Sequence, residues 1–328
     1  MKNFVRLSKV LDETISIIER RANGEKFGYT TGWSNLNKAL GGGITFNTNF
    51  TIAGRTGTGK SAFANILLLG ILENNPDVTY KVIYWNWEML NYQQGLRIFS
   101  NKTSKSVNQL MSSQEIISKE ELENVKKIRK NFDNYEVYMA DVPYVSEVVK
   151  GLVQEQHIKE KEIRLINFFD HTRLVLQGNT KTEEEKIHKF FEMLQFLKKQ
   201  CNCTNIILSQ LNRKVDDDFN RSGNYRVPIL SDLFGADAVA QYSETVLLLH
   251  RPEIYNQLYI YPPYRHNGET IEVRAEGKLV AEIAKNRDGP IGRIFFEHNL
   301  EHNNLTEWKP QIQITQNYQN PQNYQLNP

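Results

Sequence analysis

Apolar and polar positions alternate between two periods along this chain, and the alternation lays out a succession of strands and helices. Near the start, Leu7, Val10, Leu11 and Ile18 recur at helical spacing, which predicts an amphipathic helix over residues 1–21, closed by Asn23-Gly24. A turn-rich approach follows, through Thr30-Thr-Gly-Trp and Gly41-Gly-Gly43. An apolar strand is expected at 49–53 and an apolar helix at 62–72. Further strands are expected at 81–87, 163–169, 205–209, 245–249, 279–284 and 293–296, and helices at 92–100, 119–130, 145–159 and 183–199. In the last of these helices Ile187, Phe190, Phe191, Leu194 and Leu197 share one face, which reads as core packing. The alternation argues for an α/β fold, a mostly parallel twisted sheet flanked by helices, with the late strands adding an antiparallel edge.

Two stretches stand apart. Residues 252–277 are rich in tyrosine (Tyr255, Tyr259, Tyr261, Tyr264) around Pro262-Pro263, and are expected to form a surface loop or a small hairpin. Residues 310–328 carry no acidic or basic side chain and are mostly Gln, Asn, Tyr and Pro. Such a composition cannot bury enough apolar surface to fold, so this segment is expected to be a disordered tail.

Composition changes this picture little. Hydrophobic residues at 40% support a substantial core, and a net charge of +2 identifies no partner, because a balanced total can hide a local basic patch. The two cysteines, Cys201 and Cys203, are too few for a disulfide framework or a zinc site and are expected to be reduced. No apolar run approaches the roughly 18 residues of a membrane span, and no signal peptide opens the chain, so a cytoplasmic protein without a membrane partner is expected.

Chemistry enters at Gly54-Arg55-Thr56-Gly57-Thr58-Gly59-Lys60-Ser61, which fits G-x-x-x-x-G-K-[ST] and sits between an expected strand and an expected helix. Glycines at 57 and 59 let backbone N–H groups turn inward around a phosphate chain at the positive end of the next helix. Lys60 is placed to reach the β- and γ-phosphates, and the Ser61 hydroxyl to ligate Mg²⁺. Asp170 ends an apolar strand downstream of the loop, the usual place for the second Mg²⁺ contact. Glu88 ends the strand after the loop, where a carboxylate can polarise an attacking water. Gln210, in Ser209-Gln-Leu-Asn-Arg213, can contact the γ-phosphate region through a neutral amide.

Together these segments resemble the DnaB-type replicative helicases. Thr30-Thr-Gly-Trp, the phosphate loop, Trp87-Glu-Met, Asp170, Ser209-Gln-Leu-Asn-Arg, Ser231-Asp-Leu and Ala284-Lys-Asn-Arg-Asp-Gly-Pro290 occur in that family's order. The resemblance runs roughly from Leu7 to Trp308 and implies a RecA-like P-loop NTPase motor over residues 25–309. It also implies ATP and Mg²⁺ as ligands, a hexameric ring and single-stranded DNA as the track. By position, Glu88 matches the water-activating glutamate, Asp170 the Walker B aspartate and Gln210 the γ-phosphate sensor. Lys285 and Arg287 match basic residues supplied to the neighbouring subunit's nucleotide. Residues 1–24 resemble the linker helix that grips an adjacent subunit.

Two departures qualify the likeness. The family's separate N-terminal domain, which contacts primase or a loader, has no counterpart ahead of the linker-like helix, so a short form is expected, of a kind that would suit a virus or mobile element. The family's DNA-touching loop Asp-Leu-Arg-Glu-Ser-Gly becomes Asp232-Leu-Phe-Gly-Ala-Asp237, with Phe234 in place of a basic residue. A phenylalanine can stack on a base but makes no phosphate contact; Lys214, Arg221 and Arg226 are the nearby candidates for that charge. The leading expectation is an ATP-driven ring helicase. The rivals are a RecA- or KaiC-type ATPase without strand separation and a nucleotide-gated replication scaffold.

Overall fold

The computed structural model describes residues 4–142, 144–172, 182–213, 215–216, 227–260, 264–266, 269–271 and 273–308. The expectations placed on Lys214, Arg221, Arg226 and the tail at 310–328 lie outside these residues.

In chain order the elements are α1 (Leu7–Ala22), β1 (Gly28–Tyr29), α2 (Ser34–Ala39), β2 (Ile44–Thr45), β3 (Asn49–Gly54) and α3 (Lys60–Asn74). Then come β4 (Tyr80–Asn86), α4 (Asn91–Thr103), α5 (Val107–Met111), α6 (Lys119–Lys130), β5 (Val137–Ala140) and α7 (Ser146–Lys159). They are followed by β6 (Arg164–Asp170), α8 (Glu183–Gln200), β7 (Cys203–Gln210), α9 (Ala236–Tyr242) and β8 (Thr245–His250). The chain closes with β9 (Tyr264–His266), β10 (Glu269–Ile271), β11 (Lys278–Asn286), β12 (Gly292–Asn299) and β13 (Asn304–Trp308).

Nine strands form one sheet in the order β13-β12-β11-β8-β3-β7-β6-β4-β5. From β8 to β5 the pairing is parallel, and β11, β12 and β13 join antiparallel. A parallel strand needs both faces covered, and β3 is buried at every position. On one face Phe50, Ile52 and Phe168 pack with Phe63 and Leu67 of α3 and with Trp33. On the other, Ala53, Trp85, Phe169 and Ile207 pack with Phe190, Phe191 and Leu194 of α8 and Val149 of α7. Helix α3 runs close against the turn before it: a Cβ on Gly70 would stand 2.5 Å from the Gly32 nitrogen, so only glycine lets the helix lie there. Cys201 and Cys203 are free and buried.

The described parts of residues 252–277 do more than form a surface loop. β9 and β10 form the expected small hairpin, and Ile260, Val273 and Ala275 pack on Val280 and Phe295 as a satellite core. Helix α1 begins at Leu7, and none of its residues is buried. Among the described residues no helix is long and apolar enough to cross a membrane.

Candidate active site

The phosphate loop leaves the carboxyl end of β3, the central strand. Gly57 and Gly59 adopt φ of +84° and +93°, a left-handed backbone that costs glycine nothing. The loop is closed by its own bonds: the Thr58 hydroxyl donates to the Arg55 carbonyl at 2.8 Å, and Lys60 Nζ donates to the same oxygen at 3.0 Å. Arg251 Nη1 braces it from outside by donating to the Gly57 carbonyl at 3.0 Å. Burial pulls the Lys60 ammonium down to about 8, against the attraction of Asp170 and Glu88. A group held this way gains from an anionic ligand more than a solvated lysine would.

Sheet register brings the other chemistry to the same edge. Gly54 pairs with Gln210 across β3 and β7, and Asn86 pairs with Asp170 across β4 and β6. Glu88 follows β4 directly, and the Trp87 amide donates to the Asp170 carbonyl at 2.9 Å, which fixes where Glu88 emerges. The resulting open cleft, about 440 Å³, is lined by Gly57, Lys60, Ser61, Glu88, Arg97 and Gln210, together with Leu300, Glu301 and Asn303. Among the described residues neither carboxylate oxygen of Asp170 has a hydrogen-bond partner, although the residue is 1% exposed. Burial, and then the Glu88 charge, raise this carboxyl to about 6; the Ser61 hydroxyl, Arg97 and Lys60 pull the other way. A buried, unsatisfied carboxylate beside a hydroxyl is what a hard divalent cation satisfies, so Ser61 and Asp170 fit Mg²⁺.

Three contributors escaped the sequence reading. Arg97 reaches the cleft from α4, and a lone arginine in the helix after Glu88 is its only sequence signal. His171 lies behind the cleft, its Nε2 3.2 Å from Gln210 Nε2 and 3.7 Å from Glu88 Oε2. Leu300 packs on Gly59, and its place is set by the antiparallel edge, which no local pattern announces.

The remaining expected residues sit elsewhere. Phe234 is half-buried on a second open cleft, with Asn212, Asp237 and the Glu184, Glu185 and Glu192 carboxylates of the α8 region among its lining. Its amide donates to the Gln210 carbonyl at 2.9 Å, and the Asn212 amide donates to the Asp232 carbonyl at 2.7 Å, so this loop is zipped to the chain leaving β7. Arg287 follows β11, whose Asn286 pairs with Thr245, which in turn pairs with Phe50 near the start of β3. Phe50 and Gly54 are about 13 Å apart along an extended strand, so Arg287 lies at the opposite end of the sheet from its own phosphate loop. Its Nη1 is 3.2 Å from Glu244 Oε1. Lys285 turns inward and donates to the carbonyls of Ser243, at 2.7 Å, and Ala240; burial lowers its ammonium.

Residues 28–307 match the family model described as DnaB-like helicase C terminal domain. A replicative DNA helicase DnaB from Rickettsia felis is 27% identical over 312 residues, covering 89% of this chain and 60% of its own length. A probable replicative DNA helicase from Trieres chinensis is 26% identical over 273 residues, covering 81% of this chain and 54% of its own length. The chain thus spans little more than half the length of these curated relatives. A solved structure described as an ATPase domain superposes with a TM-score of 0.77 at 19% identity, covering 94% of this chain and all of that one. A solved DnaB-like replicative helicase, studied with its primase interactions, superposes at 0.74 with 20% identity, covering 94% of this chain and 68% of that one. The two superpositions agree with the sheet order in a RecA-like α/β fold, and by the match over residues 28–307 this chain belongs to the DnaB-like helicase C-terminal domain family.

Proposed function

We propose that this chain is the motor of an ATP-dependent replicative DNA helicase, working on single-stranded DNA as a hexameric ring with nucleotide bound between subunits. The observation that carries the reading is a division of the active groups between two ends of one sheet. Lys60, Ser61, Glu88, Asp170 and Gln210 converge at the carboxyl end of the parallel strands, while Arg287 stands at the other end. A guanidinium there serves no nucleotide in its own subunit but can serve a neighbour's.

Each residue then has a task. Lys60 and the inward N–H groups of the loop hold the β- and γ-phosphates. Ser61 and Asp170 would hold Mg²⁺, which when bound neutralises charge on those phosphates. Glu88 orients the attacking water and takes its proton. Gln210 contacts the γ-phosphate and passes its presence to Phe234 through the carbonyl–amide bond between them. Phe234 stacks on a base, as aromatic platforms for single strands do, and α1 docks its apolar face on the next subunit. A primase is the first outside partner to test, on the strength of the DnaB-like relative studied with one; a loader is the second.

Unwinding of a forked duplex, measured with ATP and with a non-hydrolysable analogue, tests the reading. ATP-dependent strand separation is expected. ATP hydrolysis stimulated by single-stranded DNA without strand separation would favour a RecA- or KaiC-type ATPase.

A further inference from the structure

Arg287 is held at both its main chain and its side chain by one residue, Glu244. The Arg287 amide donates to the Glu244 carbonyl at 2.9 Å, and its Nη1 lies 3.2 Å from Glu244 Oε1. Glu244 is itself fixed from two other elements. Its Oε1 accepts from Lys198 Nζ of α8 at 2.6 Å, and its Oε2 accepts from the Asn49 amide at the start of β3 at 2.8 Å. The Lys198 and Glu244 side chains are 8% and 11% exposed, whereas that of Arg287 is 51% exposed.

The asymmetry separates a structural need from a functional one. A buried lysine requires a counter-charge, and Glu244 supplies it to Lys198. A half-exposed guanidinium is already solvated and needs no carboxylate to be stable. What the second contact does for Arg287 is remove rotamers. The guanidinium leaves the sheet edge in one direction, from a carboxylate locked between α8 and β3. A charge aimed in advance avoids reorganisation when it meets the developing charge of a reacting phosphate.

We propose that Glu244 is the positioning residue for Arg287, setting the direction in which its guanidinium is presented to the neighbouring subunit's nucleotide. This rests on the reading of Arg287 as acting across a subunit boundary. Lys285, whose ammonium bonds the adjacent Ser243 carbonyl, steadies the same turn.

The test uses the full chain. Glu244→Gln should bind a fluorescent ATP analogue normally, because its phosphate loop is intact, and should lose ATPase activity by about 10²-fold, the scale of a misplaced group. In an Arg287→Ala background, adding Glu244→Gln should change nothing more. Mixed with Lys60→Ala subunits, which keep a correctly aimed arginine, Glu244→Gln subunits should recover hydrolysis just as Arg287→Ala subunits do. Should Glu244→Gln fail to fold, the pair Lys198→Met with Glu244→Gln removes the buried cation with its partner and carries the same test. Wild-type activity, a loss that adds to that of Arg287→Ala, or no recovery in mixtures where Arg287→Ala does recover would each overturn the role of Glu244. No recovery for Arg287→Ala itself, in samples shown to exchange subunits, would overturn the trans reading and this inference with it.

Discussion

The Arg55 guanidinium holds the Asp216 carboxylate through two nitrogens, Nε at 2.7 Å and Nη2 at 2.5 Å. A residue of the phosphate loop is thereby tied to the chain that leads out of β7 towards residues 217–226. Bidentate, partly buried pairs of this kind fix geometry better than exposed single contacts. The predicted consequence is coupling: Asp216→Asn should leave nucleotide binding intact and cut the stimulation of ATPase by single-stranded DNA by about fivefold or more. Steady-state rates with and without DNA measure the ratio, and an unchanged ratio would remove the coupling role.

Glu88→Gln keeps the shape of the side chain and removes the base. ATP should still bind, while hydrolysis should fall by about 10²–10⁴-fold. Normal turnover in Glu88→Gln, with Asp170→Asn inactive, would place water activation elsewhere.

Phe234 stands in a lining with more carboxylates than cations among the described residues, so stacking must supply affinity that charge does not. A stacked base contributes about 1–3 kcal/mol, and Phe234→Ala should weaken single-strand binding by roughly one to two orders of magnitude, with a shallow salt dependence. Fluorescence titration at several salt concentrations decides. A steep slope unaffected by Phe234→Ala would move the contacts to Lys214, Arg221 and Arg226.

Helix α1 exposes Leu7, Leu11 and Ile18 at 71%, 52% and 61%, so its apolar face is not packed within its own subunit. Leu11→Glu with Ile18→Glu should leave the melting temperature of a single subunit unchanged and abolish assembly. Native mass spectrometry reads the assembly, and intact rings in the double variant would sink the docking role.

His250 gives the fold an acid limit. It is 2% exposed, and burial holds its imidazole down from 6.5 to about 4, with the Gln257 hydrogen bond opposing and Arg293 assisting. The unfolded chain takes up a proton near 6.5 while the native chain refuses it until about 4. The stability contributed is therefore complete above about 6.5 and is lost as pH falls towards 4, roughly 3 kcal/mol in all. Urea unfolding at a series of pH values should show this slope, and His250→Phe should flatten it. An equal slope in both proteins would assign the acid limit to other groups.

Much of this architecture was legible along the chain, for physical reasons. Helix α6 falls at 119–130 as expected because Ser118 caps it, accepting from the Glu121 amide while Glu121 bonds back to the Ser118 amide. The convergence of Glu88, Asp170 and Gln210 was readable because each ends or closely follows an apolar strand, and parallel strands bring like ends together. Strands β5 and β13 went unread: each is short and only partly buried, and it pairs on one side alone. Leu300 over Gly59 and Glu244 under Arg287 were also invisible, since contacts of that kind exist only once the sheet order is known. For Lys285 the resemblance implied a cation offered to a neighbouring subunit, but nothing along the chain showed that the Ala240 and Ser243 carbonyls at the end of α9 would engage it.

The sheet order also sets a timetable. The residues that pair with Asn49 and Phe50 are Asn205 and Thr245, so the strand carrying the phosphate loop is flanked on both edges by segments synthesised much later. Such distant pairing makes folding slow relative to a chain of local contacts. Until β7 and β8 emerge from the ribosome, β3 is an apolar strand with two open edges, the kind of segment that chaperones shield and that aggregates when they do not. The part of the molecule that sequence identifies first is among the last that the growing chain can complete.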